Sequence, residues 1–266
     1  MVALSNVPII TEDNFRVHLD DGKLQRCGTL PRDFSRVPVG SMSFAPEFDM
    51  PLIDPSEYLD RARQKEKDGR LSDFILDAGI PCLHQQQTNF CHGNSPCGAI
   101  MYLESTQGKP FELLSAASIA APVTNFTNNG AYIEDDLRQC VEVGCASVKY
   151  VPVNQVTADG FKRGWKEDAA KHRVSEWWDL GQGNGQQMYH RVMTAVLSGF
   201  PVCVAYNWWR HAVTIVDVVI LKNGQLSFRI RNSWGEEWGE QGFGVIDRAK
   251  CVPNAAYVPR QIVMPA

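Results

Sequence analysis

From Pro201 onward the chain is patterned for a sheet: PVCVAYNWW, HAVTIVDVVILKNGQLSFRIRNSW and FGVIDR are dense in Val, Ile, Phe and Trp, residues that pack well on a pleated surface. Asn223-Gly224 divides the longest of these runs, and both residues accept the positive φ of a tight hairpin turn. Antiparallel strands therefore gather at the carboxyl end.

Upstream the apolar period lengthens from two residues to three or four. In SEYLDRARQKEKDGRLSDFILDA, Tyr58, Leu59 and Ala62, then Leu71, Phe74 and Ile75, fall on helical faces interrupted at Asp68-Gly69, which predicts two helices with a charged outer side. A third helix fits AYIEDDLRQCVEVG, where Ile133, Leu137 and Val141 recur every fourth residue and Gly144 ends the pattern. A fourth fits QQMYHRVMTAVLSG, with Met188, Val192, Val196 and a closing Gly199. A buried helix carrying Ala99, Ile100 and Leu103 is expected to begin near Cys91 and Cys97, with Ser95-Pro96 as its cap and first turn. Helices early and strands late predict an α+β protein. Three regions follow: an extension over 1–78 that wraps the body, a helical part over 79–200, and a β-rich part over 201–266.

Composition narrows the function. With 26 basic residues against 30 acidic ones and no long run of either sign, the chain offers no nucleic-acid footprint. The opening MVALSNVPIITEDNFR lacks the basic start and long apolar run of a secretory signal. The most apolar stretch, around VTIVDVVIL, contains Asp217 and falls well short of the roughly 20 residues that span a bilayer, so no membrane contact is expected. Eight cysteines without a signal are expected as reduced thiols, and with no CxxC pair they make no structural zinc site. No metal or cofactor is called for.

A catalytic cysteine needs an imidazole to hold it as thiolate, a third group to orient that imidazole, and donors where an oxyanion forms. Cys91, near a predicted helix start, meets the first need, and Gln85 stands six residues before it. His211 opens a predicted strand, and Asn232 lies beyond the Asn-Gly turn. Taken alone, Cys91 reads more readily as an inert small core residue than as a nucleophile, and Cys97 is the competing thiol. His84 and His92 flank the nucleophile, whereas His18, His172 and His190 are assigned surface or packing roles, and the tryptophan pairs are assigned to the core or a cleft wall.

Asn232-Ser233-Trp234-Gly235, Trp238-Gly239, Gly242-Phe243 and His211-Ala212-Val213 resemble the carboxyl-terminal half of papain-like cysteine peptidases. Gln85 with Cys91, Leu114-Ser115 and Asn129-Gly130-Ala131-Tyr132 resemble the earlier motifs of that family in the same order, so the likeness spans Leu83 to Ile246, roughly three fifths of the chain. It implies a helical subdomain and an antiparallel sheet or barrel subdomain with a cleft between them, and hydrolysis of polypeptides through a thioacyl-enzyme. It further implies that Asn232 orients His211, Trp234 shields their bond, Gln85 serves the oxyanion, and Asn129, Gly130 and Ala131 bind substrate backbone. Asn207-Trp208-Trp209 and Cys91-x-x-Asn94 look most like bacterial and phage members, implying the cell cytoplasm or a virion, and possible assembly into a larger particle. A structural virion component with a vestigial triad, and a transamidase or deamidase using the same triad, are the alternatives.

The sequence also departs from that pattern. His92 replaces the usual Trp after the nucleophile, and Thr88 and Asn128 stand where secreted members carry a disulfide. Arg210 replaces an Asp, which predicts a weakened charge on His211, and Ala131 adds a methyl to the substrate strip. Only 90 residues precede Cys91, and Leu30-Pro31-Arg32-Asp33-Phe34 resembles a mature amino terminus, so no long inhibitory propeptide is expected and control is expected to come another way. The insert from Val156 to Gln187 is expected to form a flap.

Overall fold

A computed structural model of the chain describes residues 7–15, 24–182 and 185–262; the rest of the expected extension, including His18, lies outside the described residues. In chain order the elements are β1 (Ile9–Ile10), α1 (Tyr58–Asp68), α2 (Leu71–Asp77), α3 (Cys91–Thr106), α4 (Ala117–Val123), α5 (Ile133–Glu142), α6 (Trp165–Ala169), β2 (Val174–Asp179), α7 (Gly185–Leu197), β3 (Val202–Tyr206), β4 (His211–Ile220), β5 (Leu226–Arg231), β6 (Phe243–Ile246) and β7 (Ala255–Ile262). The strands form one sheet in the order β1-β6-β5-β4-β3-β7-β2. Every pairing is antiparallel except β1 with β6. Among the described residues no helix is long and apolar enough to cross a membrane.

Strand periodicity sends alternate residues into two cores. Cys203 and Ala205 of β3, with Ala212 and Val216 of β4, pack against α2, α3 and α5. Val202, Val204 and Tyr206, with Val213 and Ile215, face α1 and α7 on the other side. A register shift between Ile215 and Asp217 turns Val218 to the α7 side as well.

The sheet also fixes α3 against the start of β4. Ser95 Oγ donates to the Val213 carbonyl at 2.8 Å, and Thr214 Oγ1 donates to the Ser95 carbonyl at 3.0 Å. Buried hydrogen bonds between the first turns of a helix and a central strand hold the helix at one axial position.

Two local expectations change. Helix α3 begins at Cys91, so Pro96 lies inside it. The first turn closes on Phe90, whose carbonyl accepts the Gly93 and Asn94 amides and the Asn94 side chain, and complete burial of this turn outweighs the one ladder bond that Pro96 removes. The insert is not a flap throughout: its Trp177-Trp178 pair belongs to β2, which pairs with β7 at the sheet edge, and Trp177 is fully buried. That pairing joins segments about 80 residues apart, so local periodicity carries no sign of it.

Candidate active site

Cys91 is the first residue of α3, where the unpaired amides and the helix dipole favour negative charge. His211 is the first residue of β4 and Asn232 follows the last residue of the adjacent β5, so the hairpin brings their side chains together. His211 Nε2–H donates to Asn232 Oδ1 at 2.7 Å, since an amide oxygen only accepts. Ser233 N–H donates to the same oxygen at 2.8 Å and fixes its orientation. With Nε2 committed, Nδ1 is the atom left for the thiols; it makes no hydrogen bond of full geometry, yet the sulfurs of Cys27 and Cys91 are the neighbours that act most strongly on the ring.

Burial opposes charge on both partners, and each overcomes it in the other. Against burial, His211, then His92 and Thr29, pull the Cys91 thiol down to about 6. Against burial, Cys27 and Cys91 raise the His211 imidazole to about 10. Both shifts favour a thiolate–imidazolium pair over the neutral pair. The expected weakening by Arg210 does not occur, because Arg210 sits exposed in a turn with φ of 54° and has no place among the main influences on His211.

Indoles enclose the imidazole. The Trp234 ring centroid lies 4.7 Å from that of His211, and the Trp209 centroid lies 4.8 Å away on a second approach. Trp234 is thus where a shield over the His211–Asn232 bond belongs, and Trp209, assigned from sequence only to core or cleft wall, shares the position.

Gln85 is fully buried and held from both ends. Its Oε1 accepts from Ser233 Oγ at 2.7 Å, and its Nε2 donates to the carbonyls of Thr88 at 2.9 Å and Arg26 at 2.8 Å. Arg26 belongs to a segment that the sequence does not place. The Gly28 amide donates to Cys91 Sγ at 3.1 Å, and Thr29 Oγ1 lies 3.2 Å from the same sulfur. The strip then binds this segment: Ala131 N–H donates to the Gly28 carbonyl at 3.0 Å and Leu30 N–H donates to the Ala131 carbonyl at 2.9 Å, in parallel register.

The cleft is therefore filled by residues 26–30 of the chain itself. This short contact, which the expectation of no long inhibitory propeptide does not address, covers Cys91 Sγ from the Gly28 side. The one local signal for it is Gly28, where a Cβ would meet the Asn89 carbonyl oxygen at 1.9 Å; at Gly130 a Cβ would meet the Gly28 oxygen at 2.2 Å. Two glycines let these backbones touch. Just beyond, Arg32 is anchored to Asp179 by bonds of 3.0 and 2.8 Å and to the Tyr257 hydroxyl at 2.7 Å.

The remaining sequence candidates fall as follows. Cys97 lies sealed in the core, 3.5 Å from the Cys145 sulfur, and burial pushes its thiol well up, so it does not compete as nucleophile. His92 is fully buried and bonds Asp136 at 2.7 Å. Burial favours its neutral form, but Asp136 outweighs burial and raises the imidazole; burial in turn raises the Asp136 carboxyl. Asn128, at a position where a disulfide is absent, accepts from the Asn89 amide at 2.8 Å and donates to the Gln87 carbonyl at 3.0 Å, tying the same two loops. His172 bonds Glu104 at 2.9 Å and His190 bonds Tyr58 at 2.9 Å, both packing roles. Among the described residues no cluster of three or more His, Cys, Asp or Glu is placed to hold a metal ion.

No family model matches the sequence, and no curated protein matches it. Solved structures do. The chain is similar to xylellain, a cysteine protease from Xylella fastidiosa, at 18% identity over 92% of this chain and 100% of that one, with a TM-score of 0.60. It is similar to procathepsin B S9 from Trypanosoma congolense at 16% identity over 95% of this chain and 94% of that one, TM-score 0.61. It is also similar to digestive procathepsin L 3 of Tenebrio molitor larval midgut at 21% identity over 68% of this chain, spanning 66% of that one, TM-score 0.56. These likenesses establish an α+β papain-like fold.

Proposed function

We propose that this chain is a cysteine peptidase that hydrolyses polypeptides through a thioacyl-enzyme and folds with its cleft closed by its own residues 26–30. The observation that carries the reading is the convergence of Cys91, His211 and Asn232 at the meeting of α3 with β4 and β5, with His211 Nε2 bound to Asn232 at 2.7 Å and Nδ1 left toward the thiol. The thiolate attacks a peptide carbonyl, the imidazolium protonates the leaving amine, and His211 then activates water to release the acyl group. Gln85 Nε2, with the Cys91 amide at the start of α3, supplies the oxyanion donors. The strip at Asn129, Gly130 and Ala131 holds substrate backbone once the resident segment leaves it. Two of the similar structures are named as procathepsins, in keeping with a latent state.

The test is turnover of casein and peptide libraries by the full chain and by Gly28→Val, whose side chain would collide with the Asn89 carbonyl and expel the segment. Turnover in Gly28→Val at least about 10-fold above the full chain, abolished by adding Cys91→Ala and retained with Cys97→Ala, is expected. Absence of peptide cleavage in both chains overturns the reading, and ammonia release from glutamine substrates without cleavage replaces it with a deamidase.

A further inference from the structure

We propose that Cys27 and Cys91 form an oxidative modification site, a disulfide that fastens the cleft-filling segment to the nucleophile and shields Cys91 from irreversible oxidation. The inference rests on the reading of Cys91 as the reactive thiol. Three observations converge on it. The amide of Gly28, the next residue to Cys27, touches Cys91 Sγ at 3.1 Å, which brings the Cys27 backbone to the nucleophile. Both sulfurs act on the same imidazole, that of His211. Cys27 is also the one cysteine of the eight that is not buried: it lines an open cavity of about 250 Å³ with Trp208, Trp209, Arg210 and Trp234, which gives a small oxidant an approach to Cys27, behind which Cys91 is buried.

Chemistry selects these two thiols over the other six. Thiolate character and access govern oxidation, and Cys91 is held as thiolate at neutral pH while Cys27 borders solvent. Burial pushes the thiols of Cys82, Cys97, Cys140, Cys203 and Cys251 upward. In the rival pair, Cys97 and Cys145 at 3.5 Å, both residues are buried, whereas the Cys27–Cys91 pair has one member, Cys27, on an open cavity.

With a peroxide as oxidant the steps balance. The Cys91 thiolate attacks one peroxide oxygen, the O–O bond breaks, and the departing hydroxide takes a proton from the His211 imidazolium, leaving Cys91 sulfenic acid and water. Cys27 then attacks the Cys91 sulfur; an S–S bond forms, the S–O bond breaks, and the hydroxide leaves as water with the proton that His211 accepts from the Cys27 thiol. Two electrons pass from the two thiols to one peroxide. Without Cys27, the sulfenic acid has no adjacent resolving thiol and a second peroxide carries it to sulfinic acid.

The experiment treats the reduced full chain, Cys27→Ser and Cys97→Ser with a few equivalents of hydrogen peroxide at neutral pH, followed by peptide mass spectrometry without reduction. A linked peptide joining Cys27 to Cys91 is expected as the main product in the full chain and in Cys97→Ser, while Cys27→Ser shows Cys91 sulfinic acid. Dithiothreitol is expected to restore Cys91 alkylation within about 2-fold in the full chain and not in Cys27→Ser. Equal Cys91 sulfinic acid in the full chain and Cys27→Ser, or a main link between other cysteines, overturns the proposal. The readout needs no peptide turnover, so a Cys27–Cys91 link in a chain that cleaves nothing leaves the modification site standing and removes the peptidase reading alone.

Discussion

Gln85 donates its side-chain amide to the Arg26 carbonyl at 2.8 Å, while Ser233 Oγ holds the other end of that amide at 2.7 Å. A donor placed for a developing oxyanion is thus occupied, in the resting chain, by a ground-state carbonyl of the same molecule. Donors preorganised in a water-poor site contribute most when charge develops in front of them, so on the proposed reading Gln85 would serve latency and chemistry by one contact geometry.

Gln85→Glu separates those two roles. The carboxylate keeps the Ser233 hydroxyl as donor but offers nothing to Arg26 or to an oxyanion. In the Gly28→Val background, kcat for peptides is expected to fall by about 10² to 10³, while Cys91 alkylation, which forms no oxyanion, stays within about 3-fold. A parallel loss of both rates in steady-state and labelling assays removes Gln85 from the oxyanion role.

Asn232→Ala removes the hydrogen bond that holds His211 Nε2. The imidazole stays enclosed by Trp209 and Trp234 but loses the acceptor that selects its tautomer and rotation. Loss of about 10² in kcat is expected, with a stability loss of about 2 to 4 kcal/mol because the buried His211 and Ser233 donors lose their shared acceptor. Unchanged kcat in the Gly28→Val background, with urea unfolding as the control, contradicts an orienting role.

The sheet half of the site was legible because its determinants are local. His211 and Asn232 sit at the two ends of one hairpin whose Asn223-Gly224 turn is written in the sequence, and that turn lies between Leu221 and Gln225, joined at 2.8 Å. Cys91 was legible through Gln85 and through the helix behind it. The cleft-filling segment was not, since CGTLPRDF has no periodicity and its partners, such as Cys91 from Gly28, lie 63 residues away. The Asp136 partner of His92, 44 residues on, was missed for the same reason, as was the pairing of β2 with β7. Charge at His211 depends on more than its neighbour in sequence: Arg210 is exposed in a positive-φ turn, and two sulfurs brought in by distant segments are the neighbours that raise the ring.

On the proposed reading, Arg32 anchors the far end of the segment that fills the cleft. Its guanidinium is 2% exposed and its partner Asp179 is fully buried, so removing one side leaves a buried charge unpaired. Arg32→Ala is expected to destabilise the fold by about 3 to 5 kcal/mol, read as a lowered urea midpoint. Arg26→Ala, outside the anchor, is expected to leave the midpoint within about 0.5 kcal/mol, because its interaction with Gln85 uses only the backbone carbonyl. Similar midpoints for the two variants contradict the anchor.

The pH dependence of Cys91 alkylation tests the ion pair directly. The protonated form of a thiol is neutral and unreactive, so a thiol lowered to about 6 by His211 gains reactivity as pH rises through 6 and is about 90% thiolate at pH 7, against a few per cent for an ordinary cysteine. An imidazole raised to about 10 keeps its proton over the same range, so the alkylation rate, followed at Cys91 by peptide mass spectrometry, is expected to be level from pH 7 to 9. His211→Ala removes the charge that opposes burial, and burial alone raises a thiol; its midpoint is expected above pH 8.5. A wild-type midpoint near 8.5, or one that His211→Ala does not move, shows that no thiolate–imidazolium pair forms.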